Sequence, residues 1–346
     1  MNEEGRDMPR SVEEVCTMSE WSVAEPGKLT FDESVSALQV RIVHGTVNVV
    51  GTDEGSARLE VSEIEGPPLI VTHRDGVLTV AYEDLPWKGF LKWLDRKGWR
   101  RSAVVSLAVP TGTRVEVGAV SAAAVVSGLE GHVEVKGVSG DTTLVGLTGP
   151  VRADTVSGSV EAQALTGDLR FHSVSGDLTV VEAGSSVRAD SVSGSMIVDL
   201  DTAGGPTDIS LTSVSGEIAI RLPQPADAEV EASTASGSVS SAFEDLRVAG
   251  QWGAKRITGR LGAGNGRLKA TTVSGSIALL RRPAAEEAPW EEDAPQTPDP
   301  GHGPGPDPDH GPVDGVRDAS GDNSASGREH GATGDPADGT TDKKVL

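Results

Sequence analysis

The chain of 346 residues holds a single cysteine, Cys16. One thiol excludes an intrachain disulfide and any zinc site built from several thiolates. No run approaches the roughly 18 consecutive apolar residues of a membrane-spanning helix. The opening MNEEGRDMPR lacks the basic stretch and apolar core of a secretory signal. These absences predict a cytoplasmic protein, or one peripheral to the inner face of the membrane. Met1, Met8 and Met18 crowd the beginning, and 1–17 reads as a leader without order. Basic residues are scarce: 30 Lys and Arg face 52 Asp and Glu, for a net charge of −22. That balance argues against nucleic acid as a partner, because phosphate contact needs a basic face. Also missing are H-E-x-x-H, a phosphate loop and a dinucleotide fingerprint, since no Lys follows the Gly262-Ala-Gly264-Asn-Gly266 turn where one is required. No metal or cofactor is expected.

Turn residues and short alternating runs are abundant. Residues 18–81 read as a strand-rich portion in which Leu38, Val40 and Ile42 alternate with Gln39 and Arg41. Leu69 to Val71 and Val77 to Val80 flank Arg74-Asp75-Gly76, a hairpin signal. Residues 82–102 differ in texture. Five of the chain's aromatics lie there, and Trp87, Phe90, Leu91 and Leu94 fall at i, i+3, i+4 and i+7. That spacing predicts an amphipathic helix whose place before the repeats suits a cap. Its basic side chains give it a second reading, docking to an anionic membrane through Trp87, Lys88, Lys92, Trp93, Arg96 and Lys97.

Residues 103–282 form a repeat array. Ser-Gly recurs at Ser139, Ser157, Ser175 and Ser193, each 18 residues after the last. It returns at Ser215, Ser236 and Ser274 after steps of 22, 21 and 38, the last read as two turns. Thr148-Gly149 and Thr166-Gly167 echo it at half the period. Two short strands and their turns fit one such repeat, which predicts a parallel β-solenoid with turns about 4.8 Å apart. A thin interior suits small and β-branched residues, which matches an aromatic content of 3%. The remainder, 283–346, is acidic, rich in Pro and Gly and without apolar periodicity, so it is expected to be disordered. The calcium-binding β-roll has a similar period, but its G-G-x-G-x-D turn is absent here.

Alignment on the repeat serine separates inward from outward positions. Val133, Val151, Leu169 and Val187, with Val135, Ala153, Phe171 and Ala189, point inward. Between them Glu134, Arg152, Arg170 and Arg188 form one outward column, and Lys136, Asp154, His172 and Asp190 another. The plain reading is a solubilising ion-pair lattice. The sharper one makes Arg152, Asp154, Arg170, His172, Arg188 and Asp190 a binding face for a protein or a polymeric anion. A third has His172, flanked by Asp154 and Asp190, acting as an acid/base or metal group.

The run VRADTVSGSVEAQALTGDLRFHSVSGDLTV, residues 151–180, resembles the bacterial putative-adhesin family of β-strand-repeat proteins, a domain of unknown function. So does the lead-in Val104-Val-Ser-Leu-Ala-Val-Pro-Thr-Gly-Thr. The resemblance spans about 35–280 and implies an all-β solenoid, with no catalytic residues to map. The expected protein is therefore a monomeric, non-enzymatic scaffold or adhesin-like binding module. A peripheral membrane protein and a carbohydrate-active β-helix enzyme using His172 are the alternatives.

Overall fold

The computed structural model describes residues 18–83, 101–201, 208–251 and 253–282. Every regular element in them is a β-strand. The first group is β1 (Met18–Val23), β2 (Gly27–Phe31), β3 (Ala37–Thr52), β4 (Ala57–Glu65), β5 (Leu69–Arg74) and β6 (Val77–Tyr82). Then follow β7 (Ser102–Pro110), β8 (Arg114–Ser127), β9 (Val133–Gly137), β10 (Thr142–Val145), β11 (Val151–Thr155) and β12 (Val160–Leu165). Next are β13 (Leu169–Ser173), β14 (Leu178–Ala183), β15 (Val187–Ser193), β16 (Met196–Leu200), β17 (Asp208–Ser215) and β18 (Ile218–Leu222). The last are β19 (Ala228–Thr234), β20 (Val239–Ser241), β21 (Arg247–Gln251), β22 (Ala254–Leu261), β23 (Gly266–Thr272) and β24 (Ile277–Arg281).

Each repeat lays down two strands, and each strand pairs in parallel with its counterpart one repeat later. The odd-numbered strands β9 to β17 build one face and the even-numbered β10 to β18 the other. β3 and β8 are long enough to pass through both faces as single strands. The predicted β-solenoid is therefore present. Its inward columns are buried as the repeat alignment requires, and both faces contribute to one apolar core. Phe171 fills its column between two alanines, Ala153 and Ala189, one strand to either side. A single large ring is accommodated because its neighbours are small.

The Ser-Gly turns stack by a specific set of bonds. The backbone N and Oγ of Ser157 both donate to the Val138 carbonyl, at 2.9 and 3.1 Å. The amide of Gly176 donates to Ser173 Oγ at 2.7 Å. A Cβ on Gly176 would overlap the carbonyl oxygen of Gly158 in the turn before. Glycine is needed here for close approach of two backbones rather than for its φ range.

The order of stacking differs from the order of the chain at both ends. β3 lies between β6 and β7 on one side and β8 on the other. The stack thus incorporates a strand well upstream of residue 103. β6 and β7 are flanked in turn by antiparallel β5 and β4, and these by β1 and β2. Strands rather than a helix flank this end among the described residues. The turn at Asp75-Gly76, with φ of 51° and 76°, closes the predicted β5–β6 hairpin. At the other end β23 and β24 insert between β17 and β18 and the earlier strands β19 and β20. The long step from Ser236 to Ser274 is therefore not two successive turns. Its chain makes the antiparallel pair β21–β22 at the end of one face, then doubles back.

Residues 84–100, which include the expected cap helix, lie outside the described residues, as do 1–17 and 283–346.

Candidate functional site

The parallel register converts sequence columns into rows of side chains on the odd face. Arg152, Arg170 and Arg188 are direct neighbours on β11, β13 and β15. Asp154, His172 and Asp190 make the adjacent row, two residues further along the same strands. All six expected binding residues thus meet on one outer surface. The basic aromatic set at Trp87, Lys88, Lys92, Trp93, Arg96 and Lys97 falls outside the described residues.

Towards β8 the rows are electrically compensated. Lys136 Nζ lies 2.9 Å from Glu134 and 3.5 Å from Glu116. Arg152 clasps Asp154 with two bonds, Nε to Oδ2 at 2.7 Å and Nη2 to Oδ1 at 3.1 Å. That clasp and the Asp154 charge raise the Arg152 pKa above its ordinary value. Burial pushes the Glu134 carboxyl up, but the hydrogen bond and charge of Lys136, joined by Arg152, outweigh it and hold the pKa low.

Past Arg152 the compensation stops. Arg170 and Arg188 are exposed, and among the described residues neither forms an ion pair. Two guanidinium groups directly opposite each other on neighbouring strands destabilise a sheet by roughly 0.2–1 kcal/mol. His172 Nδ1 sits 3.5 Å from Asp190 Oδ2, with side-chain exposures of 40% and 44%. Acid/base work by such a pair calls for a water-excluding site, and both side chains are open to solvent. Among the described residues no group of three His, Cys, Asp or Glu is placed to hold a metal ion.

The arginine row has a continuation. Arg188 faces Ser210 on β17, and Ser210 faces Lys269 on β23. Next to this row, Asp208, Arg267, Glu229 and Arg260 are successive neighbours across β17, β23, β19 and β22. β19, β21, β22 and β23 line a groove of about 690 Å³ with Glu229, Glu231, Asp245, Arg247, Arg260, Arg267 and Lys269 at its walls. Among the described residues Arg247, Arg260, Arg267 and Lys269 form no ion pair, whereas Glu231 is held by Arg256 at 2.9 Å. The sequence held the signal for Lys269. It stands five residues before Ser274, the same offset as Arg152, Arg170 and Arg188 from their serines.

The Gly262 to Gly266 turn already holds an anion of its own chain. Asp227 Oδ1 accepts from the amides of Gly264 and Asn265 at 2.5 and 3.0 Å, and Oδ2 from Asn265 Nδ2 at 2.6 Å. Those bonds, the Asn265 amide first, lower the Asp227 pKa. This turn is an internally filled nest, not an open phosphate loop.

Comparison with known proteins bears on the architecture. The Toastrack DUF4097 family matches residues 71–280. No curated protein matches the chain. Solved structures that resemble it include a putative cell adhesion protein from Clostridium sporogenes, 9% identical with a TM-score of 0.25, covering 75% of this chain and 100% of that one. A putative adhesin from Bacteroides fragilis is 11% identical with a TM-score of 0.39, covering 78% of this chain and 98% of that one.

Proposed function

The chain belongs to the Toastrack DUF4097 family, and we propose that within it this protein is a non-catalytic, adhesin-like binding module whose odd face takes an anionic partner. One observation carries this reading: Arg170 and Arg188 stand in register on adjacent strands with no carboxylate among the described residues to neutralise them. The same rows are fully paired one strand earlier, so the fold itself does not need the charges left open. A ligand carboxylate, sulfate or phosphate bridging both guanidiniums would relieve the repulsion through bidentate, charge-assisted bonds. The backbone beneath them is a continuous parallel ladder, so the two groups are presented at fixed spacing.

The net charge makes the test informative. A chain of −22 is repelled as a whole by a carboxymethyl-dextran surface, so adhesion to it reports a local cationic site. At low ionic strength the protein is expected to bind that surface, to be released by about 0.15 M salt, and to lose retention in Arg170→Gln/Arg188→Gln. Equal retention of the variant would refute the reading.

A further inference from the structure

We propose that the groove at the β19–β22–β23 end of the odd face is a second subsite of the same binding surface, and that its ligand is an acidic, uronate-bearing polysaccharide. The inference rests on the binding reading above and extends it to a substrate class. Three features of the groove point there.

The first is continuity. Lys269 lies two strand steps from Arg188 and three from Arg170 along one row. At about 4.8 Å per step the row extends some 14 Å from Arg170 to Lys269. Cations set along a straight line, with Ser210 between Arg188 and Lys269, fit a linear polyanion better than a compact one.

The second is mixed charge. Arg260, Arg267 and Lys269 share the groove with Glu229 and Glu231. A ligand that is only anionic, such as a polyphosphate, meets three carboxylates there, Glu229, Glu231 and Asp245, that repel it. A uronate chain carries both a carboxylate, which the cations accept, and hydroxyl groups, which donate to Glu229 and Glu231. The row beside the arginines alternates in sign across the strands, as Asp208, Arg267, Glu229 and Arg260. That alternation matches a partner that alternates anion and donor.

The third is what lines the groove. Among the described residues no aromatic side chain lies in its walls. Neutral sugars are held largely through flat apolar contact with rings, which none of the described wall residues supplies. Recognition must come from charge and hydrogen bonds, and therefore falls with salt.

The experiment is titration calorimetry of the full chain with oligogalacturonates of two and ten units, and with polyphosphate of ten units. The decamer is expected to bind, and to lose at least tenfold in affinity in both Arg267→Gln/Lys269→Gln and Arg170→Gln/Arg188→Gln. The dimer, long enough for one subsite, is expected to respond to Arg267→Gln/Lys269→Gln. Glu229→Gln/Glu231→Gln is expected to weaken oligogalacturonate and strengthen polyphosphate, a reversal that a merely structural role would not produce. All substituted side chains are on the outer face, and unchanged thermal midpoints verify folding. Decamer binding that ignores Arg267→Gln/Lys269→Gln but is abolished by Arg170→Gln/Arg188→Gln would overturn the second subsite and leave the binding module standing. Polyphosphate binding as tight as the decamer would overturn the uronate assignment. No binding of either polymer by a chain that is still retained on the carboxymethyl surface would overturn the inference alone; loss of that retention as well would overturn the reading beneath it.

Discussion

Gly176→Ala tests the physical basis of the stack. A Cβ at this position overlaps the Gly158 carbonyl oxygen and comes within 3.0 Å of Ser173 Oγ. Neither neighbour yields readily. Ser173 Oγ is already engaged by the Gly176 amide, and the turn is fixed by Ser175, whose N and Oγ both reach the Val156 carbonyl at 2.8 and 3.3 Å. Overpacking a rigid site costs about 1–3 kcal/mol, and two immovable partners put this substitution at the upper end. For a domain of this size about 3 kcal/mol lowers the thermal midpoint by roughly 6–12 °C. Gly112→Ala is the internal control, because nothing lies within 4 Å of its added Cβ. Its effect should stay within about 0.5 kcal/mol or turn slightly stabilising through loss of unfolded-state freedom. Thermal unfolding followed by circular dichroism measures both. Matching midpoints for the two variants would refute the claim that backbone approach dictates glycine at the repeat turn.

Phe171→Ala should cost about 3–5 kcal/mol, since its column neighbours Ala153 and Ala189 are too small to fill the void; urea denaturation checks it, and a loss under 1 kcal/mol would mean the column collapses. Arg170→Glu replaces two repulsive pairs, to Arg152 and Arg188, with attractive ones, so it should stabilise the free protein by roughly 0.2–1 kcal/mol per pair while abolishing retention on the carboxymethyl surface. Glu134 has a folded-state pKa below its ordinary 4.5, so the stability it contributes is present above that pH and is lost as pH falls through the lower folded value. Stability curves measured downward from pH 6 should therefore fall less steeply for Glu134→Gln below about pH 4.5 than for the native chain.

The repeat made the surface columns readable from spacing. When a chain returns every 18 residues to the same point of a parallel stack, residues one period apart become lateral neighbours. Arg152, Arg170 and Arg188 could be placed in one row from spacing alone, and Phe171 in the core among alanines. The in–out sense followed from the two-residue period of a strand, which one face of buried valines and leucines pins. The role of the serines was less legible. Their hydroxyls bond to carbonyls of the preceding turn, and composition says only that a turn is there.

Within 133–222 sequence order and spatial order coincide, because short connections leave only the next edge within reach. At the ends they part. The chain placed β3 inside the stack and later carried β23 back beside β17, so that Lys269 and Arg267 met Ser210 and Asp208. The offset from Ser274 put Lys269 in the arginine column, but nothing in the pattern said which strand it would lie beside. The open edge of one parallel strand offers the same row of N–H and C=O groups as any other, and alternating valines dock on each alike. Sequence determined the period, the faces and the columns; which strand occupies which edge, and hence the charged groove, was settled by competition between equivalent edges in the folded stack.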